Sequence, residues 1–439
     1  MSCTYKLKHN KKTKPIRRSK TKTTRRSKTG GSGRDEEINL LPEDASIVHA
    51  PKTTMPKPIE DFWYTIFDED HLHKIRDTIA EWINDSLTPG KISICDKIKR
   101  YLPHFSLKTS TEVRNAYDVL YLTPEQLQHI NVVSCATFII MGIISNQFEA
   151  RHFHCNLVLK GGKSIQTALK DFAYASHDPN YTSDDIDFLL LTTGEYEYNA
   201  ISDIAMKIGF LVQWVIQSKT SISSISIKSS KYPYEDDKFN QYVTKLSYQL
   251  AKGRFLALLD IDTKPSTTKL ENAGEQALLK HVKFPDIDFY VGKYLSFTTF
   301  TFDFESESDL RVLLFYLKLD YAFDEKIYVY IKVYLLNLQS GTYGDYLIKF
   351  QKPILALLQY KYQKYKESLP HRQRPKPYHV ICHDIFYDSI NRMRITSIDC
   401  ALFGVHPQHK QYIKGVMVYC PFFEQIFTTL MNRMSITKA

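Results

Sequence analysis

Residues Leu157 to Leu190 read LVLKGGKSIQTALKDFAYASHDPNYTSDDIDFLL. The segment Cys155 to Lys160 (CNLVLK) predicts a short apolar strand that stops at Gly161-Gly162. Two residues without side chains let a phosphate come close to the backbone. Ser164 follows at the start of a helix predicted over Ser164 to Tyr174, where free N–H groups and the helix dipole favour an anion. A loop over His177 to Ser183 leads to a second strand, Ile186 to Leu191, headed by Asp185-Ile186-Asp187. Strand alternation puts Asp185 and Asp187 on one face and Ile186 and Phe188 on the other. Two carboxylates side by side in water-poor surroundings repel each other. A divalent cation removes the conflict, and hard oxygen ligands suit Mg²⁺, with Mn²⁺ as the alternative ion.

A two-metal site needs a third carboxylate from another strand. Phe255 to Thr263 (FLALLDIDT) offers Asp260 or Asp262, both on one face of one predicted strand. Asp260 is favoured because it is more central and is followed by an apolar residue, but the pattern does not rank the two firmly. Two ions about 4 Å apart would clamp an attacking hydroxyl and nucleotide phosphates.

Each element of this pattern is weak alone, since a Gly-Gly pair is usually a turn and an Asp-x-Asp is common on loops. Asp286-Ile287-Asp288-Phe289 is such a decoy; it follows Pro285, lacks a preceding glycine turn and reads as a solvated strand entrance. The order glycine pair, helix, acidic strand, later acidic strand is more specific. A P-loop is excluded because position 157, where its first glycine belongs, is Leu. His152, His154 and Cys155, and Cys382, His383 and Asp384, have no partner pair at zinc spacing. No G-x-S-x-G elbow occurs.

In this order the chain resembles the polymerase-β-type nucleotidyltransferase superfamily. Within it, the LKGGKS turn, the long insert before SDDIDF and the layout of the remainder resemble the poly(A) polymerase catalytic subunits of large DNA viruses, of the poxvirus, asfarvirus and mimivirus kind. The superfamily signature covers roughly 110 residues here. The resemblance implies that Gly161 and Gly162 hold a triphosphate with Ser164 and Lys163 assisting. It implies that Asp185 and Asp187 bind metal, and that Asp260 is the third carboxylate and helps activate a 3′-hydroxyl. The implied activity is template-independent transfer of AMP from ATP to an RNA 3′ end, releasing pyrophosphate. The implied location is a viral factory in the host cytoplasm, with packaging in the virion as a further expectation. One departure is the 23-residue gap from Gly162 to Asp185, wider than in compact members of the superfamily. Two other readings stand beside this one: a different nucleotidyltransferase acting on tRNA ends or proteins, and a non-catalytic RNA-binding subunit on the same fold.

The charge is unevenly distributed. The 439-residue chain carries a formal +10, yet residues 1–34 hold 13 Lys and Arg and no acidic residue. The remaining 405 residues hold 45 basic and 48 acidic side chains, so the positive charge is a tail. That tail ends in Gly30-Gly31-Ser32-Gly33, buries little, and is expected to be disordered. It suits a polyanion such as RNA; the alternative is a localisation signal or a solvated arm. Composition is that of a globular protein, with 43% hydrophobic and 24% charged residues, which excludes collagenous and fibrous classes. Seven scattered Cys with no CxxC favour a reducing compartment. The most apolar run, Ile130 to Ile144, is short of a membrane span, and the N-terminus lacks the apolar core of a signal peptide. No membrane partner is therefore expected. Dimerisation or a separate processivity partner is not legible.

The organisation expected is an α/β protein. A basic tail (1–34) and a mostly helical N-terminal region (35–150) precede a nucleotidyltransferase domain (151–283) and a C-terminal α+β domain (284–439). Residues 35–67, with four prolines, read as an extended lead-in. Helices are expected over Asp68 to Leu87, from Thr123 toward Ile144, and over Ala200 to Ile216, Leu310 to Leu319, Tyr346 to Glu367 and Pro421 to Met434. Further strands are expected over Ser221 to Ile227, Tyr242 to Leu250, Phe289 to Phe304 and Lys326 to Leu336. Tyr360 to Tyr365 (YKYQKY) offers aromatics that could stack bases, although an amphipathic helix is the simpler reading. Pro370 to Pro377 (PHRQRPKP) reads as a basic loop.

Overall fold

The fold was described from a computed structural model, which defines residues 47–48, 54–103, 105–115, 118–169, 185–192, 198–233, 240–250, 254–263, 295–302, 310–340, 344–393 and 421–436. The basic tail, the loop 177–183 and Asp286–Asp288 lie outside them.

The described chain is a mixed α/β protein with a mostly helical N-terminal part. Helices α1 (Lys57–Ile66), α2 (Glu69–Leu87) and α3 (Ile94–Tyr101) come first, followed by a hairpin of β2 (Glu112–Asn115) and β3 (Asp118–Tyr121). Helix α1 lies where the sequence reading placed an extended lead-in. Pro56 caps it and Pro58 sits in its first turn, where a missing N–H costs nothing. Its Trp63 and Ile66 are buried. Asp68 caps α2 by accepting from the Asp70 and His71 N–H groups.

Helix α4 (Pro124–Ala150) opens with a capping box, Thr123 and Gln126 bonding each other's backbone N–H. At 27 residues it is longer than the apolar run suggested. Together with α6 (Tyr198–Gln217) it contains a window long and apolar enough to cross a bilayer. In each helix 72% of that window is buried inside the protein, as in a core helix laid on a sheet. Helix α4 lies so close to the sheet that a Cβ at Gly142 would stand 2.3 Å from Val312 Cγ1.

The central sheet has eight strands in the order β1-β6-β7-β8-β5-β4-β10-β9. They are β1 (Ile47–Val48), β4 (Cys155–Lys160), β5 (Ile186–Thr192), β6 (Ile225–Pro233), β7 (Asn240–Gln249), β8 (Phe255–Thr263), β9 (Leu295–Phe302) and β10 (Leu310–Leu317). β5 runs parallel to β8 and β10 parallel to β4; the other pairs are antiparallel. β9 and β10 thus extend the same sheet across the expected boundary at residue 283. Between β4 and β5 lies helix α5 (Gly161–Ala168), which starts on the glycine pair itself, three residues earlier than expected.

Each face of the sheet carries its own core. Leu157, Leu159, Phe188, Leu259 and Ile261 pack in one core with α2, α4 and α6. Val158, Leu189, Leu191, Phe315 and Leu317 pack in the other. Residues of α5 and of α7 (Leu319–Ser340), α8 (Gly344–Ser368), α9 (Tyr378–Met393) and α10 (Pro421–Ile436) complete that second core.

Two assignments from sequence are reversed. Of Leu310 to Leu319, expected as helix, Leu310–Leu317 is strand β10, and Lys326 to Leu336, expected as strand, lies within helix α7. The run LRVLLFYL is apolar on both faces because β10 sits between β4 and β9 with a core on either side. In α7 the tyrosines and β-branched residues suggested a strand, but Phe323, Ile327, Tyr330, Ile331 and Tyr334 recur at helical spacing and are all buried. Burial of that stripe outweighs local propensity.

Candidate metal centre

The register of four strands builds the site. Lys160 on β4 stands opposite Asp187 on β5, Asp187 opposite Asp260 on β8, and Asp260 opposite Lys245 on β7. Two carboxylates therefore lie side by side in the middle of the sheet, flanked by a lysine on each side. Asp185 immediately precedes β5. One carboxylate oxygen from each of Asp185, Asp187 and Asp260 lies within 4.8 Å of the other two. Among the described residues this is the one group of three or more His, Cys, Asp or Glu side chains so arranged.

The two aspartates of β8 are separated by their partners. Lys160 forms an ion pair with Asp262, reaching over β5 to do so. Asp260 receives a hydrogen bond from Lys245 Nζ on Oδ2 at 2.8 Å. Its Oδ1 is buried with no hydrogen-bond partner among the described residues. Each aspartate is thus paired with its own lysine, but of the two only Asp260 belongs to the three-carboxylate group, and it keeps one buried oxygen without a hydrogen-bond partner among the described residues.

The electrostatics follow from burial. The Asp187 carboxyl is held well above the ordinary carboxylate range, first by burial and then by the charges of Asp185 and Asp260; Lys160 and Lys326 of α7 oppose this. Asp260 is raised by burial, with Lys245 opposing and Asp262 and Asp185 adding to it. Desolvated, mutually repelling carboxylates are the arrangement a bound divalent cation relieves. The donor set is all oxygen, and an unpartnered oxygen is available, so these residues fit a hard cation such as Mg²⁺ or Mn²⁺.

The glycine pair is built around the same carboxylate. Gly161 has φ +67°, and a Cβ there would lie 2.2 Å from Asp187 Oδ2. Only glycine allows both the backbone angle and the contact. Gly162 is partly open to solvent. Lys163 and Ser164 are not. Lys163 is 4% exposed; its Nζ donates to Ser106 O at 2.6 Å and lies 4.0 Å from the Phe105 ring centroid. Ser164 is fully buried, and its hydroxyl has no partner among the described residues. Of the four residues expected at the phosphates, then, Gly162 alone is accessible.

Lys160 and Lys245 escaped the sequence reading. Lys160 directly precedes the glycine pair, but its pairing with Asp262 and that of Lys245 with Asp260 depend on strand register, which composition does not encode. Among the described residues the other clusters singled out in the sequence form no group of metal-ligating side chains: Cys155 is buried in β4, and His383 Nε2 lies 3.1 Å from Glu424 Oε2. Comparison with known proteins found no match to a family profile, a curated protein or a solved structure.

Proposed function

We propose that this chain is a metal-dependent nucleotidyltransferase that adds AMP from ATP to the 3′ end of RNA. The observation that carries the reading is the convergence of Asp185, Asp187 and Asp260 on one point, directly against the Gly161 turn. The choice of ATP and of an RNA acceptor comes from the family resemblance.

In this reading Asp185, Asp187 and Asp260 hold the cation, which when bound supplies charge neutralisation for phosphate oxygens and an acidified hydroxyl. The chain's own residues do the rest. The first-turn N–H groups of α5 lack helical partners and face an anion at Gly162. Asp260, with burial raising its proton affinity, takes up the proton of the attacking 3′-hydroxyl. The hydroxyl oxygen bonds to the α-phosphorus as the bond to the β-phosphate bridging oxygen breaks, and pyrophosphate leaves. Lys160 keeps Asp262 out of the ligand set, and Lys245 fixes the Asp260 carboxylate in place.

A primer-extension assay tests this. The full chain is incubated with Mg²⁺, a labelled oligoadenylate primer and each nucleotide separately. A ladder with ATP alone is expected. If none of the nucleotides supports extension, the reading is overturned and weight shifts to another acceptor.

A further inference from the structure

The loop Pro370–Pro377 takes no part in the carboxylate cluster. Every residue in it is exposed, and it carries Arg372, Arg374 and Lys376 with no acidic residue. Among the described residues no ion pair holds these three cations. Two lysines earlier in α8 differ: Lys361 is paired with Asp320 and Lys364 with Glu367.

The loop is built rather than loose. Lys376 N–H donates to Tyr365 Oη at 3.2 Å, and Tyr362 Oη donates to Lys376 O at 3.2 Å. The Tyr362 ring meets Tyr378 edge-on at 4.9 Å. Gln373 N–H closes a turn on Pro370 O at 3.0 Å, and Arg372 holds a φ of 89°, which non-glycine residues adopt only when their surroundings impose it. The tyrosine hydroxyls are spent on anchoring the loop backbone, so its cations face water as a fixed set.

Its position follows from the topology. β10 runs parallel to β4, so its end at Leu317 lies at the sheet edge where Lys160 meets the glycine turn. Helix α7 starts at that edge and carries Lys326, which acts on Asp187. Lys361 of α8 is ion-paired to Asp320 and lies 5.3 Å from the Phe323 ring, both in the first turns of α7. Helix α8 continues from Lys361 to Ser368, about 10 Å further at 1.5 Å per residue. The loop, folded back on Tyr362 and Tyr365, therefore belongs to the end of α8 that meets the first turns of α7, which begin where β10 and β4 end.

We propose that Arg372, Arg374 and Lys376 form the docking surface for the phosphate backbone of the single-stranded RNA whose 3′ end enters the carboxylate cluster. The proposal rests on the nucleotidyltransferase reading and deepens it. A cluster of three carboxylates repels a polyanion, so the acceptor needs a cationic surface close to the site, and this loop supplies one on an ordered frame.

The test is fluorescence anisotropy of labelled oligoadenylate with the full chain in EDTA, without ATP, across a salt series. Wild type is compared with R372A/R374A/K376A and with R372K/R374K. Loss of three phosphate contacts lowers the magnitude of the slope of log K against log salt by about 2. The expected result is that change, with at least a tenfold affinity loss at about 0.1 M salt, and retention of the wild-type slope in R372K/R374K. Unchanged affinity and slope in the triple variant overturn the proposal, as does a wild type that binds polyglutamate as well as RNA of equal charge. Binding in EDTA does not depend on catalysis, so a protein that binds through this loop yet extends no primer would refute the transferase reading alone.

Discussion

A Cβ placed on Gly161 would lie 2.2 Å from Asp187 Oδ2. The glycine turn and the acidic strand are thus one construction: the turn is shaped to let a carboxylate rest on its backbone. Gly161→Ala breaks both the left-handed φ of 67° and this contact. We predict loss of primer extension by at least 100-fold and a lower Tm, with a stability cost of about 1–3 kcal/mol. Calorimetry and extension kinetics on the same preparation check it. Near-wild-type extension would mean that the carboxylate is free to move elsewhere.

Asp187 gives a pH prediction. Its carboxyl is raised by burial and by Asp185 and Asp260. Between the ordinary carboxylate range and that raised value, the folded chain holds a proton the unfolded chain has released, so this group's contribution to stability falls as pH rises. In EDTA, the stability of wild type minus that of Asp187→Asn should fall from pH 5 to pH 8 in urea unfolding. Adding Mn²⁺ at pH 8 should raise the Tm of wild type and not of the variant. A difference that grows with pH would contradict the assigned burial.

Lys245 favours the charged form of Asp260 from 2.8 Å. Lys245→Met removes that help and pushes Asp260 further up. The acid limb of the extension–pH profile should move to higher pH, and Lys245→Arg should restore it. An unmoved limb would remove Lys245 from the site.

Lys163 separates structure from binding. Its ammonium is buried against Ser106 and Phe105. Lys163→Met should cost about 1–3 kcal/mol in urea unfolding, with little change in KM for ATP. A raised KM with unchanged stability would instead place Lys163 at the triphosphate.

The centre of the fold was legible because it is written in local pattern. The strand CNLVLK ends at Lys160 as the glycines require, IDFLLL gives β5, and Asp185, Asp187 and Asp260 come together. What was not legible depends on partners distant in sequence. The run Leu310 to Leu317 is apolar but for Arg311 and is a strand because β4 and β9 flank it. Asp260 and Asp262 share a face, and what distinguishes them is which lysine reaches each across the sheet. Lys163 looks like a phosphate ligand beside two glycines, but its side chain turns to a segment 57 residues away.

The most direct test of the metal centre places Asp185→Asn, Asp187→Asn, Asp260→Asn and Asp262→Asn side by side in the primer-extension assay with Mg²⁺ and ATP, each checked for folding by calorimetry. The account predicts that the first three lose the ladder while Asp262→Asn keeps a substantial part of it. A ladder that survives in Asp187→Asn, or that disappears only in Asp262→Asn, would contradict it.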